Sequence, residues 1–166
     1  MSRTSTATRR AVLAAAIVAG AIGAAATAHA ASLPRCHTAD LSGRFGFIQG
    51  AAGSRFGPVI LTNRSRHTCT IFGYLGAQLI GTGGRRLRTV VVRDHSRIPH
   101  TVRLRPGRSA AATVRWSAIP SGSERCPLPR SMHVTPPDET TQLRLRWTSD
   151  RVCGGGRIDV RPFVAA

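Results

Sequence analysis

Apolar residues alternate with polar ones, mostly arginine, along the second half of the chain. Val102 and Leu104 are interleaved with Arg103 and Arg105, and Ala112, Val114 and Trp116 with Thr113 and Arg115. Leu143, Leu145 and Trp147 share their stretch with Arg144 and Arg146, and Ile158 and Val160 theirs with Arg157, Asp159 and Arg161. A side-chain period of two gives each strand one dry and one wet face. Past residue 30, apolar residues do not recur at three-and-four spacing over the length of a helix, and turn-forming residues recur roughly every 8–12 positions, as in sandwiches. The pattern predicts an all-β fold, an antiparallel sandwich of about seven to nine strands. Pro58–Thr62 and Thr70–Phe72 flank the turn residues Asn63–Arg66 and read as a hairpin. Ala77–Ile80 and Thr89–Val92, around Gly81–Gly84, read as a second.

The first thirty residues read as an export signal preceding a single domain over 31–166. Arg3, Arg9 and Arg10 supply a positive start, Ala11–Ala26 an apolar helix-forming stretch, and Ala28-His29-Ala30 the small residues of a cleavage site. Thr8–Leu13 also resembles a twin-arginine signal; the general secretory route is the expectation. Arg35 before Cys36 does not fit a lipid-attachment site. No later apolar run approaches the roughly 18–20 residues of a bilayer-crossing helix, so the expected location is secreted or extracellular, in association with the cell envelope.

Four cysteines follow the signal: Cys36, Cys69, Cys126 and Cys153. In an exported chain an even count points to two disulfides. Three connectivities are possible, and spacing does not choose among them. The expectation adopted is sequential pairing, which closes loops of about thirty residues, worth roughly 3–4 kcal/mol each in the chain-entropy model. Zinc is disfavoured because no CxxC or CxH spacing occurs.

Specific elements recur in a telling order. Cys36 with Asp40-Leu41, Val59–Asn63 with Ser65, Thr68-Cys69-Thr70, Gly73-Tyr74 and Gly76 are followed by Leu104–Gly107 with Ala110, Trp116, Cys126, Val134–Pro137 and Cys153–Gly155. In these elements the sequence resembles the exported bacterial domain-of-unknown-function family numbered 4232, over essentially all of 31–166. Leu75 departs from the proline often found after Gly-Tyr in that family, and the arginine load is heavier. The resemblance implies a secreted or surface-attached immunoglobulin-like sandwich with sequential disulfides; it implies no activity, catalytic residue or ligand.

All 24 basic residues are arginine, against seven acids, for a net charge of +17, which loss of the three signal arginines would lower by three. Such a field attracts phosphate-bearing polymers, anionic lipid and nucleic acid. Exclusion of Lys beside abundant Ala is equally the mark of GC-rich codon usage, because Lys is itself a good phosphate ligand.

Catalysis finds little support. No GxSxG elbow is present, and the cysteines have partners in one another. Asp94-His95, near His100, could pair a base with a carboxylate, but adjacent residues on an extended chain point apart. Asp138-Glu139 follows a Pro-Pro turn, and Asp159 among arginines suits a salt-bridged carboxylate better than a general acid. His37, His67, His95, His100 and His133 form neither HxH nor HExxH, and strand alternation separates Met132 from His133. No enzyme activity, metal or cofactor is expected. Trp116 and Trp147 share faces with aliphatic residues and are expected in the core rather than as carbohydrate platforms. Asn63-Arg64-Ser65 matches a glycosylation sequon but reads as a turn with a local hydrogen bond to Asn63.

One constellation remains. If 142–147 and 157–161 pair as neighbouring strands, Arg144, Arg146, Arg157 and Arg161 form a flat outward basic face with Asp159 among them. Guanidinium forks bind phosphate and carboxylate bidentately. The face also reads as a solvated surface in which arginines discourage edge pairing. The expected function is a noncatalytic binding module for an anionic cell-envelope polymer, without specific nucleic-acid recognition, for which exposed aromatics are lacking. The alternative is a protein-interaction domain, an inhibitor or assembly factor, meeting an extracellular protein through its loops.

Overall fold

The computed structural model describes Met1 and residues 32–166. Apart from Met1, the export signal lies outside the described residues. Ser32–Ala166 form one compact all-β unit. Its strands are β1 (Leu41–Phe45), β2 (Gln49–Ala51), β3 (Ser54–Asn63), β4 (Cys69–Ile71), β5 (Gly76–Ile80), β6 (Val90–Arg93), β7 (Val102–Leu104), β8 (Ser109–Ser117), β9 (Ser131–Thr135), β10 (Leu143–Arg146), β11 (Arg157–Val160) and β12 (Val164–Ala165). The larger sheet runs β1-β3-β8-β11-β6, with β2 extending along β3 and β12 along β8. A second sheet is β10-β9-β5, and β4 with β7 form a third.

The alternation read from sequence is realised most fully in β8. Ala110, Ala112, Val114 and Trp116 are buried, while Thr113 and Arg115 face outward. Both tryptophans do fill the core, their ring centroids 4.8 Å apart, and Phe45 and Trp147 stack in a T shape. Phe163, Leu61, Leu79 and Met132 complete the interior. The disulfides are sequential, Cys36–Cys69 and Cys126–Cys153. β3 carries Pro58 without loss because Gly46 N–H donates to Pro58 O. The side of Pro58 that lacks a donor therefore faces residues 46–48, between β1 and β2, where the ladder is already interrupted.

Four sequence expectations are corrected. The strands number twelve among the described residues, several of them only two or three residues long. The sheets are not antiparallel throughout, since β6 runs parallel to β11. Neither anticipated hairpin forms. β3 pairs with β1, β2 and β8, while β4 pairs with β7. The cause lies in Asn63, which is buried and spans two sheets: its amide donates to His67 O (2.8 Å) and Leu104 O (2.9 Å). Its Oδ1 accepts from Ser65 N–H (2.9 Å), the local hydrogen bond expected of the turn. After β5 the chain does turn back, through the left-handed Gly83 and Gly84, but only far enough for Leu87 N–H to reach Leu79 O. Thr89 Oγ1 then accepts Leu79 N–H (2.9 Å), and the strand that follows leaves for the other sheet. There Gly156, at positive φ, lets β11 begin against the carbonyl of Arg88, a space that any β-carbon would fill.

The fourth correction bears on function. β10 and β11 are not neighbours: β10 pairs with β9, whereas β11 lies between β8 and β6. A break at Trp147–Gly156, holding Cys153 and a glycine turn, carries the chain from one sheet to the other.

Candidate functional site

The outer face of the larger sheet holds a cleft of about 740 Å³. Strand register builds its floor, because residues opposite one another on successive strands share a face. One row reads Phe56 on β3, Arg115 on β8, Asp159 on β11 and Val92 on β6. Arg157 and Arg161, two residues either side of Asp159, fall on the same face. Arg144 and Arg146 do not join them. They stand exposed on β10 of the other sheet, opposite His133 and Ser131, and form no hydrogen bond or ion pair among the described residues.

The cleft arginines are differently occupied. Arg157 pairs with Asp159 at 2.8 Å, and Arg161 Nε donates to Asp94 Oδ2 at 2.9 Å. The Arg161 hydrogen bond, with further bonds from Ser96, holds the Asp94 carboxyl well below the usual carboxylate range. Arg115 has no carboxylate within ion-pairing distance among the described residues; its Nη2 donates to Ser54 Oγ at 3.0 Å. The cleft thus presents two guanidinium groups without a carboxylate partner among the described residues, those of Arg115 and Arg93, two partly neutralised ones, the hydroxyl-bearing Ser54 and Thr113, and apolar walls from Phe56 and Val92. Chemically it can accept an acidic group.

Asp94 and His95 are brought to the cleft rim but do not form a dyad. The Asp94 carboxylate is engaged by Arg161 and by Ser96 N–H, and His95 Nδ1 lies 3.4 Å from Tyr74 Oη. Arg93 stacks over the Tyr74 ring at 5.4 Å from its centroid. Alternation along β8 predicts that Arg115 faces outward yet offers no reason to single it out; only the strand order reveals it.

Two other carboxylates are engaged by the fold. Glu139 accepts Thr38 N–H and Oγ1–H, both at 2.9 Å, and meets His37 Nδ1 at 3.0 Å and Arg35 Nη2 at 3.4 Å. Those bonds, the Thr38 amide first, lower its pKa to about 2. Glu124 accepts N–H groups from Gly154 (3.0 Å) and Gly155 (2.7 Å), which lower its pKa. It lies beside the sulfurs of Cys126 and Cys153, but these are bonded to each other and do not offer a thiolate pair for a metal.

With both disulfides and nearly every strand in place, one family model matches residues 36–164, described as Domain of unknown function (DUF4232). The chain belongs to this family. The match runs from the first cysteine to the start of β12, so the DUF4232 domain takes in the cleft and both disulfides. Neither a curated protein nor a solved structure matches the chain.

Proposed function

We propose that this DUF4232 protein is an exported, noncatalytic module of immunoglobulin-like sandwich type that holds acidic polymers of the cell envelope on the outer face of its larger sheet. The observation that carries this reading is the convergence of Arg115, Arg157 and Arg161 in one cleft, beside hydroxyls and short of compensating carboxylate. Two disulfides suit an oxidising compartment, and the amino-terminal sequence suits export. Arg144 and Arg146 add long-range attraction from another sheet and do not belong to the docking face.

The test is retention on immobilised polyphosphate as a function of salt. Replacing Arg115, Arg157 and Arg161 with Gln should flatten the salt dependence by roughly one unit of log–log slope for each phosphate that is no longer neutralised. Replacing Arg144 and Arg146 should act less. Equal effects from the two sets would reject a localised face, and an unchanged slope in the triple variant would reject the assignment.

A further inference from the structure

The sheet edges are treated unequally. Residues 34–36 lie along β4: Thr70 N–H donates to Pro34 O (2.9 Å) and Cys36 N–H to Thr70 O (2.8 Å). Residues 85–87 return along β5, with Gly81 N–H donating to Arg85 O (2.8 Å) and Leu87 N–H to Leu79 O (2.9 Å). Among the described residues, β6 ends the larger sheet without such a cover.

Its hydrogen bonds identify the open groups. Asp94 N–H donates to Val160 O (2.8 Å), and the register sets Arg93 opposite Val160. In a parallel ladder, alternate residues bond to the same neighbour. Val90, Val92 and Asp94 therefore serve β11, and the N–H and C=O groups of Val91 and Arg93 point away from it. Those four groups have no hydrogen-bond partner among the described residues. The strand is Val-Val-Val-Arg, β-branched and well suited to an extended neighbour, with Val90 at 42% exposure.

Charge selects the neighbour. Arg88, Arg93 and Arg97 are exposed around the edge, and none is in an ion pair among the described residues; Asp94, the acid between them, is taken by Arg161. A second copy would bring two sets of these arginines to one seam, and like charges crowded across a ladder are unfavourable. We propose that the free edge of β6 is a strand-addition site for an extended acidic segment of a partner protein. Main-chain bonds to Val91 and Arg93 would supply register, and carboxylates on the added strand would meet the flanking arginines. The edge adjoins the polymer-binding cleft, which Arg93 also lines, but its register rests on backbone groups that replacing Arg115, Arg157 and Arg161 leaves in place.

The experiment uses a capped eight-residue peptide alternating Glu and Val, added to the isotope-labelled protein and followed by amide chemical shifts and hydrogen exchange. The expected result is saturable binding, with slowed exchange at the Val91 and Arg93 amides. Methylating alternate backbone nitrogens of the peptide, or replacing its Glu by Lys, should abolish binding. Val91→Pro removes an outward donor that the fold does not use and should weaken binding about tenfold, the worth of one or two backbone hydrogen bonds. If that variant fails to fold, the methylated peptides decide the matter against the unaltered protein. Equal binding of peptides methylated in either register overturns the proposal. So does unchanged exchange at Val91 and Arg93 with shifts confined to Arg115 and Arg157, or concentration-dependent dimers that protect the same amides.

Discussion

The two arginine-bearing sheet faces differ in how their charge is held. On β10, Arg144 and Arg146 stand in solvent with no partner among the described residues. On β11 and just past its end, Arg157 and Arg161 flank Asp159, and each is tied to a carboxylate. The first arrangement gives a mobile positive field. The second gives guanidinium groups already oriented by one bond, with further donors still available, on the floor of a cleft that Arg115 completes. Oriented donors lose less freedom when a ligand arrives. A pair of arginines on each of two sheets thus makes one surface that attracts and another that can dock.

The largest test of this contrast acts through the disulfides. Replacing Cys126 and Cys153 together by Ala should cost roughly 3 kcal/mol and disturb the cleft, because Cys153 N–H donates to Ser117 O at the end of β8, just before β11 begins. Replacing Cys36 and Cys69 should cost a similar amount in denaturant melts yet leave polyphosphate binding intact once the protein is folded. Loss of binding in both variants would break the comparison.

Charge neutralisation gives a smaller effect. Asp159→Asn releases Arg157 and should raise the salt needed to elute the protein from polyphosphate, at a stability cost of at most about 1 kcal/mol, the range of exposed ion pairs. Arg144 and Arg146 offer no counterpart, since no carboxylate is paired with them among the described residues.

The smallest effect is in pH. Asp94 and Glu139 both have folded-state pKa values lowered by hydrogen bonds. Each therefore contributes stability that is complete above its ordinary value, 3.8 and 4.5 respectively, and fades as pH falls toward the lowered one. Asp94→Asn and Glu139→Gln should each flatten the acid limb of the melting temperature between about pH 5 and pH 2. Only the Asp94 change should alter retention on polyphosphate, because Glu139 holds residues 35–38, away from the cleft.

Much of the fold was legible in local pattern. Alternation along β8 and β10 identified the strands and which side chains turn inward, and the core positions of both tryptophans followed. Partner choice was not legible. Asn63 and the glycines of 81–84 look like hairpin turns in sequence, but a buried amide bonded to two sheets and a threonine hydroxyl bonded to β5 send the next strand elsewhere. The arginine face failed for the same reason. Which residues face out is a property of one strand, whereas which of them meet depends on strand order, and that is fixed by interactions between residues distant in sequence. Alternation puts Arg115 on the wet face of β8, but only the strand order sets Phe56 and Asp159 beside it.

β8 is the seam of the molecule, joined to β3 before it in the chain and to β11 and β12 after it. Phe163, wholly enclosed, and Val164, paired with Ala111, reach β8 from about fifty residues further along the chain. A chain made from its amino end therefore cannot close this interior until residues 163–164 are in place. Until then β8 lacks one flank, and its apolar side remains open to any holding factor that keeps the chain from pairing with its neighbours.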